Sequence, residues 1–351
     1  MKNALLSYSS PLGMEWANNI GDYIQGLAAN QFMHTDTYLD RECLDEFSGE
    51  TTKVIMNGWF MYDPKRFPPS EKINPLFVSF HIRPSIAERL LTANVISYLK
   101  RYEPIGCRDL STLRILESHG VRAYFSACLT LTLGRTYHRP DAEHVSGVCF
   151  VDPFIPIKLK DSLRGLHWFV LRPHLAMSVY RSIRCSILAG QPFRYRLKHV
   201  VRIGAFLRCY TKMFSRETIE SAEYLSSVVN ASRFDGHREL FAYAEKLLQK
   251  FMHKRLCVTS RIHCALPCVG MGVPVIFVDA ANGNLSDGRF DGLLQFFNLA
   301  HVTSKGLVPS FEWRTARADG LIDETAEIPI GAKHLDYVEK LVKKCELFAA
   351  E

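Results

Sequence analysis

A polar triplet suited to holding and protonating an anion follows an apolar run late in the chain. The run Leu256–Thr259 predicts a strand, and Ser260, Arg261 and His263 come directly after it, where a helix is predicted to begin. Arginine can bind a phosphate or carboxylate with two parallel hydrogen bonds, and histidine can carry a proton near neutral pH. Helix N-termini also attract anions. The triplet indicates an anion site with acid–base capacity, although a surface arginine beside a core histidine would give the same pattern.

Two further arginines stand in comparable turns. Arg108 follows the predicted strand Ile105–Cys107 and precedes Asp109, which is the predicted N-cap of a helix. Arg289 ends a glycine-rich loop, residues 282–289, of a type that suits an anion or a hydroxyl group. Either arginine could clamp an anion. Equally, Arg108 could pair with Asp109 for structural reasons, and the loop could be a plain turn.

The first part of the chain also has polar residues where predicted strands end. Asn57 and Trp59 follow the predicted strand over residues 53–56, and His81 follows the one over residues 76–80. In an open parallel sheet, ligands bind at the carboxyl ends of the strands. An indole ring there offers an aromatic surface on which a sugar ring can stack. These turns are therefore candidates for binding a sugar.

A strand predicted over residues 123–129 runs into a segment in which polar residues alternate with leucines. A period of two places Ser126, Cys128, Thr130 and Thr132 on one face, which would line a cleft. No neighbouring base that could activate Cys128 is evident, so a nucleophilic cysteine is not favoured.

Several other chemistries lack their usual marks. The chain has no GxGxxG, P-loop, HExxH or GxSxG motif, which argues against nucleotide hydrolysis, zinc proteolysis and triad hydrolysis. No histidine and carboxylate cluster has ligand spacing, so no catalytic metal is expected. The ten cysteines include no CxxC pair, and reduced cysteines in a cytosolic protein are the simplest account of them.

Positive charge is concentrated in one segment, residues 162–216, which we call the basic segment. It contains 11 Lys or Arg residues and no Asp or Glu, whereas the whole chain has a formal net charge of +7, so the remainder is net negative. Aromatic residues are interleaved with the basic ones, as in regions that lie at an anionic membrane surface or bind a polyanion. Ordinary helices with core aromatics and solvated arginines are the alternative. Nucleic acid is not favoured, because no nucleic-acid-binding module accompanies the segment.

The elements that must position these residues predict an α/β fold. At 351 residues and 40.0 kDa the chain fits two domains of ordinary size. Short β-branched or aromatic runs alternate with helical patterns, which favours parallel sheets. We expect one lobe over residues 1–140, a second over residues 141–332 that contains the basic segment, and a closing helix over residues 333–351. Neither a secretory signal nor a membrane-spanning run is evident, so secretion and a transmembrane anchor are not expected.

The predicted boundaries can be stated element by element. The remaining predicted strands cover residues 4–8, 147–151 and 273–278. The predicted helices begin near Asp22, cover residues 85–102, run from the cap at Asp109 to residues 119–120, and cover residues 236–251, 260–269 and 333–350.

As a set, these residues resemble the polysaccharide pyruvyl transferase family. The stretches that carry the resemblance are Asn19 to Gln25, Asn57 to Trp59, Ser79 to His81, Tyr102 to Thr112, Tyr124 to Leu133, Val258 to Cys268 and Gly272 to Phe277. Members of the family are similar to GT-B glycosyltransferases, with two Rossmann-like lobes facing a cleft. They move pyruvate from phosphoenolpyruvate onto a sugar as a cyclic ketal.

The resemblance implies a phosphoenolpyruvate-dependent, ketal-forming pyruvyltransferase that needs no cofactor. Arg261 and His263 match the family's Arg-(Leu/Ile)-His element and would contact the donor. The donor-binding set is then Ser260, Arg261, His263, Arg108 and Arg289, with Arg261 and His263 as the catalytic pair. The acceptor-binding set is Asp22, Asn57, Trp59, His81 and Ser126.

The acceptor expected from the resemblance is a bacterial-type polysaccharide or its lipid-linked precursor. The enzyme would be cytoplasmic, and the basic segment, which matches no family motif, could hold it against the inner face of the plasma membrane. Two alternatives remain open at this point. One is a GT-B glycosyltransferase that uses a nucleotide sugar, and the other is a non-catalytic protein that binds a polyanion or a membrane surface.

Overall fold

Short apolar runs of this chain form strands, and longer runs with helical periodicity form helices. A computed structural model describes residues 1–9, 18–155, 162–188, 193–280 and 288–351. Its strands are β1 Lys2–Ser7, β2 Asn18–Asn19, β3 Tyr38–Asp40, β4 Thr52–Ile55, β5 Gly58–Phe60, β6 Ile73–Leu76, β7 Phe80–Ile82, β8 Ile105–Cys107, β9 Ala123–Phe125, β10 Val148–Val151, β11 Glu223–Leu225, β12 Val228–Val229, β13 Leu256–Thr259, β14 Val275–Asp279, β15 Asn298–Thr303 and β16 Gly306–Pro309. Its α-helices are α1 Ile20–Met33, α2 Pro84–Leu90, α3 Ala93–Lys100, α4 Leu110–Ser118, α5 Ser162–Leu171, α6 Pro173–Cys185, α7 Phe193–Tyr210, α8 Arg216–Ser221, α9 Gly236–Met252, α10 Ile262–Gly270 and α11 Leu335–Ala350.

The larger sheets are built from parallel strands. In the first part of the chain the strand orders are β3-β1-β4-β6 and β5-β7-β8-β9, with all pairs parallel. In the second part the order is β11-β10-β13-β14-β15-β16, and only the last pair is antiparallel. Both parts wind outward from a central strand, so the order reverses between β1 and β4 and again between β10 and β13. Ligands of open α/β sheets bind at such reversals.

Side chains of the second sheet alternate between two apolar cores. Cys149 and Val151 face a core that also contains α1, α9, α10 and the strands of the first part. Val148 and Phe150 face the opposite side, where α6 and α7 pack. The alternation follows from the two-residue period of a strand covered on both faces. One continuous core therefore joins the first sheets to the second sheet.

The closing helix α11 returns to the first part of the chain. The buried Lys53 on β4 donates from Nζ to the carbonyl oxygen of Phe348 at 2.9 Å, and Arg135 pairs with Glu346 at 2.7 Å. Cys345 of α11 is fully buried in the core that contains the first sheets. The predicted helix is confirmed, and its packing partners are elements of residues 1–140.

Three predicted elements are wrong in their extent. The helix predicted over residues 85–102 is two helices, because the chain breaks before Thr92, which caps α3. The strand predicted over residues 76–80 is interrupted by Ser79, whose φ of 55° is incompatible with an extended strand. In the same way Ala127, with φ of 57°, ends the strand predicted over residues 123–129.

The polar face predicted beyond residue 126 is consequently absent in that form. Residues Leu129–Arg135 form a 3₁₀ helix in place of a strand, and Cys128, Thr130 and Thr132 are all buried. They cannot line a cleft by alternation, because alternation of faces requires an extended backbone.

The α/β class with parallel sheets is confirmed, while the division into lobes at residue 140 and the GT-B-like arrangement stay predictions. No helix within the described part of the chain is long and apolar enough to cross a membrane.

Candidate functional site

Arg261 lies at the switch point of the second sheet. It occupies the N-cap position of α10 directly beyond β13, and its backbone N–H donates to Thr259 Oγ1 at 2.9 Å. Its half-exposed side chain places Nε 3.1 Å from Oδ2 of Asp152, the residue that follows β10. Ser260, between β13 and Arg261, is partly exposed. The predicted strand-to-helix turn is confirmed, and it presents a guanidinium beside the reversal of strand order.

Asp152 was not among the predicted site residues. Its carboxylate accepts hydrogen bonds from Ser226 Oγ at 2.7 Å and from the backbone N–H of Ser227 at 3.1 Å, which fix it against Arg261. The available signal was a carboxylate directly after the predicted strand over residues 147–151, in the same kind of turn that singled out Arg261. Asp152 therefore orients the arginine from the neighbouring strand.

His263 occupies the first turn of α10 and faces the first part of the chain. Its Nε2 atom is buried and has no hydrogen-bond partner among the described residues. A Cβ on Gly21, in the first turn of α1, would lie only 2.7 Å from the His263 Cβ, so the two helix starts touch at this point. Burial, followed by the charges of Arg108, His81 and Arg289, holds the pKa of His263 well below its usual range. The imidazole is therefore neutral at neutral pH, in surroundings that favour an anion.

His81, Arg108 and Asp109 form a buried cluster at the ends of β7 and β8. His81 Nδ1 lies 2.6 Å from Asp109 Oδ2, and Arg108 Nε lies 3.4 Å from the same oxygen. Asp109 also caps α4, because its Oδ1 accepts the backbone N–H and the hydroxyl of Thr112, each at 2.9 Å. The two interpretations of Arg108 thus meet in one side chain, which contacts Asp109 and also acts electrostatically on His263.

The charges of this cluster follow from its burial and contacts. Burial and the nearby Arg108 charge lower the pKa of His81 to about 4. Burial alone would raise the pKa of Asp109, but His81 and the Arg108 charge hold that pKa below its usual value. An ionised Asp109 facing a neutral His81 favours the tautomer with its hydrogen on Nδ1, an assignment made from the contacts. Asp109 then fixes the orientation of both His81 and Arg108.

Asp22 lies in the first turn of α1, one residue after the glycine that touches His263. Its Oδ1 accepts hydrogen bonds from Gln25 Nε2 at 3.1 Å and from Asn19 Nδ2 at 3.4 Å. Burial raises its pKa, and the charges of Arg41, Arg108 and Arg83 oppose that rise. The carboxyl group is thus surrounded by arginines from three different turns.

Trp59 carries arginines on its ring. The guanidinium carbon of Arg83 lies 4.2 Å from the ring centroid, and that of the buried Arg41 lies 4.9 Å from it. Such contacts are cation–π interactions. Neither arginine was predicted, although Arg41 directly follows β3 and Arg83 directly follows β7. Trp59 therefore orients cations near Asp22, and its ring is partly engaged before any sugar arrives.

Asn57 and Ser126 are used within the scaffold. Asn57 is 1% exposed and donates from Nδ2 to the carbonyl oxygen of Gln25 at 2.9 Å. Ser126 is 4% exposed, accepts the backbone N–H of Ser79 at 3.0 Å and donates to the carbonyl oxygen of Cys107 at 3.0 Å. Both side chains hold strands and helix starts in register, and the structure does not bring them to an open surface as acceptor ligands.

Arg289 is tied to the site by its charge. It lowers the pKa of His263, and its guanidinium carbon lies 4.8 Å from the ring centroid of Phe290. Residues 282–287 of the predicted glycine-rich loop lie outside the described residues. Among the residues that the structure does describe, no group of three or more His, Cys, Asp or Glu side chains could hold a metal ion.

Comparison with known proteins gives one match. The family model described as polysaccharide pyruvyl transferase matches residues 19–282, a span that includes Asp22, His81, Arg108, Asp152 and the start of α10. No curated protein and no solved structure matches the chain significantly. The family match covers about three quarters of the sequence and both sides of the site just described. The chain belongs to the polysaccharide pyruvyl transferase family.

Proposed function

We propose that this protein transfers pyruvate from phosphoenolpyruvate to two hydroxyl groups of a glycan and forms a cyclic ketal. The observation that supports this most directly is His263, a buried neutral imidazole with an unpartnered Nε2 among the charges of Arg108 and Arg289. A small polyanion would satisfy those surroundings. The family match makes a glycan the acceptor class.

The donor carries a phosphate and a carboxylate, and the arginines answer both groups. Arg261 can offer a guanidinium fork from the start of α10, where the helix dipole adds to the attraction. Arg108 and Arg289 contribute positive charge from the two sides of His263. Donor anions close to His263 would raise its pKa, because an opposite charge favours the protonated imidazole. The donor would thus convert His263 into an acid when it binds.

The reaction needs balanced proton transfers. A proton is added to the methylene carbon of phosphoenolpyruvate, which becomes a methyl group and leaves a cationic centre at C2. One acceptor hydroxyl bonds to C2 and gives up its proton, the C2–O bond to phosphate breaks, and a second hydroxyl bonds to C2 and gives up its proton. The products are the ketal and inorganic phosphate. We assign the proton addition to His263 and the stabilisation of the departing phosphate to the arginines.

The acceptor would approach from the first part of the chain. Asp22 and His81 lie at the carboxyl ends of its strands or at the facing helix start, and each is positioned by neighbours that are themselves buried. Asp22 can accept a hydrogen bond from a sugar hydroxyl and take its proton, since burial raises the pKa of this carboxyl group. Arg83, held over Trp59, adds a donor on the same side.

Turnover can be tested with purified protein, phosphoenolpyruvate and a panel of synthetic and lipid-linked glycosides. Phosphate release together with the mass increase of one pyruvate ketal is the expected result. Arg261→Ala should raise the donor KM about 10- to 100-fold, the usual range for losing hydrogen bonds to a charged group. Arg255→Ala is the matched control, because Arg255 is exposed at the opposite end of β13.

Two results would contradict the proposal. One is transfer of a sugar from a nucleotide sugar with no use of phosphoenolpyruvate. The other is an unchanged donor KM in Arg261→Ala when the Arg255→Ala protein behaves like the wild type.

A further inference from the structure

The basic segment has an unusual distribution of exposed apolar side chains. Of the eleven large apolar residues exposed in the described chain, five fall on α5 and α6. They are Leu163, Leu166, Val170, Leu171 and Met177, with exposures of 80%, 45%, 65%, 57% and 41%. Apolar side chains exposed singly are normal, but a contiguous group of this kind marks a contact surface.

The group forms a ridge because α5 is packed by its opposite face. Gly165 is buried against α7, where a Cβ on Gly204 would overlap the Gly165 carbonyl oxygen, so the two helix backbones touch. At about 100° per residue, Leu163, Leu166 and Val170 share one stripe that points away from Gly165. The solvent side of α5 is therefore the apolar side, which is the reverse of an ordinary surface helix.

Cations border this ridge. Arg172, Arg181 and Arg184 are exposed on or beside α6, and none of the three has a carboxylate within ion-pair distance in the described chain. The guanidinium carbon of Arg172 lies 5.4 Å from the ring centroid of Trp168, which keeps an aromatic side chain at the border as well. The basic segment contains no acidic residue that could neutralise them.

Part of the segment behaves differently from the interfacial pattern predicted for all of it. Phe206, Tyr210 and Phe214 are at most 1% exposed and pack around Phe150 in the core beneath the second sheet. These aromatics belong to the fold. The contact surface is confined to α5 and α6.

We infer that the α5–α6 ridge docks on an anionic lipid bilayer, with its apolar side chains in the interface and its arginines at the head groups. A second copy of this chain is a poor partner for the same face, because a two-fold contact would bring identical positive charges together. A bilayer supplies a negative surface above an apolar interior and needs no complementary groove for a convex ridge. The inference does not depend on the proposed reaction.

Vesicle co-sedimentation without donor or acceptor tests it. The wild-type protein should bind phosphatidylcholine vesicles that contain about one third phosphatidylserine and should bind pure phosphatidylcholine much less. Bound protein should be released at several hundred millimolar salt, where the Debye length falls to about 5 Å. Failure of the wild type to bind the anionic vesicles at low salt would overturn the inference.

Paired variants separate the ridge from general stickiness. Leu166→Ser with Val170→Ser should lower the partition coefficient about tenfold or more. Arg181→Gln with Arg184→Gln should lower it by about fivefold for each engaged charge. Leu335→Ser with Leu347→Ser is the matched control, since these α11 residues are 55% and 59% exposed. All these positions are exposed, so thermal unfolding should stay unchanged.

An equal loss in the α11 control would also refute a specific ridge. So would analytical ultracentrifugation that shows a dimer dissociated by Leu166→Ser with Val170→Ser, because a second copy would then cover the face.

Discussion

At the residue scale the site depends on carboxylates that hold cations in place. Asp109 contacts both His81 and Arg108, and Asp152 contacts Arg261, so each catalytic or donor-binding candidate is oriented by an acidic neighbour from an adjacent turn. The acidic partners are themselves fixed by backbone N–H groups of Thr112 and Ser227. Long basic side chains lose much rotamer freedom when a ligand orders them, and this prior orientation lowers that cost.

His81 should make the folded protein sensitive to mild acid. Its pKa falls from 6.5 to about 4 on folding. Between these values the unfolded chain binds a proton and the folded chain does not, so the free energy of unfolding decreases as the pH falls from 6.5 towards 4. The expected loss is at most about 1.4 kcal/mol per pH unit. Urea unfolding at several pH values should give a shallower slope for His81→Asn.

The slope in His81→Asn should not vanish, because the pKa of His263 is lowered in the same direction. The exposed His138→Gln serves as the matched control and should keep the wild-type slope. A His81→Asn protein with the full wild-type slope would contradict the assignment of a neutral buried imidazole.

Gly21 should control turnover through His263. An added Cβ would lie 2.7 Å from the His263 Cβ, so Gly21→Ala must displace the imidazole or the start of α1. Helix propensity by itself would favour alanine at this position. We expect kcat to fall about 100-fold, the effect of displacing a catalytic group by about 1 Å. Steady-state kinetics with thermal unfolding as a folding check would show it, and an unchanged kcat would separate His263 from the reaction.

At the element scale, close backbone contacts at glycines set how helices lie on the sheets. Gly26 of α1 receives the ring of Phe241 from α9, where an added Cβ would lie 2.6 Å from the ring. Gly270 at the end of α10 lies against the backbone of Leu131 in the 3₁₀ helix. These contacts bring α1 and α10 close to elements of the other part of the chain, and the first turns of the same two helices carry Asp22 and His263.

The contact between α5 and α7 gives the clearest test at this scale. Gly204→Ala would force the two helices apart, because the new methyl group would overlap the Gly165 carbonyl oxygen. We expect a loss of about 1–3 kcal/mol in the free energy of unfolding, as for other overpacked contacts. Gly331→Ala is the control, since an added Cβ there meets no atom within 4 Å. Equal stability of the two variants by urea unfolding would mean that α5 is not seated on α7.

At the scale of the whole molecule, the chain end ties the fold together. α11 follows the second sheet in sequence but packs against the first part, where Lys53 donates to the last carbonyl groups of the helix. A cation at a helix C-terminus is favourable because it meets unpaired carbonyl oxygens and the negative end of the helix dipole.

Lys53→Met should therefore loosen α11 from the core. Hydrogen exchange in residues 335–350 should become faster, and the free energy of unfolding should fall by roughly 1.5–3 kcal/mol, the range for hydrogen bonds to a charged group. Lys2→Met is the matched control, because Lys2 is 68% exposed and its pair with Glu50 lies in solvent. Exchange in α11 that is identical in both variants would show that the helix is held without Lys53.

The sequence by itself determined the elements whose signals are local. The strands Ile105–Cys107 and Leu256–Thr259 have the predicted bounds, and the turn carrying Arg261 and His263 was identified from strand and helix patterns alone. These features depend on hydrophobic periodicity and capping within a few residues, which any single sequence displays. The family could be inferred for the same reason, since its motifs are short contiguous stretches.

Only the tertiary structure decided which residues meet. Asp152, Arg41 and Arg83 enter the site through contacts across strands far apart in sequence, and Asn57 and Ser126 leave it because distant backbone groups occupy their side chains. The strand breaks at Ser79 and Ala127 are likewise invisible to periodicity, because a positive φ at a residue other than glycine is imposed by its surroundings. Burial and pairing are properties of the packed chain, so the charge states of His81 and His263 could be assigned only once the neighbours were known.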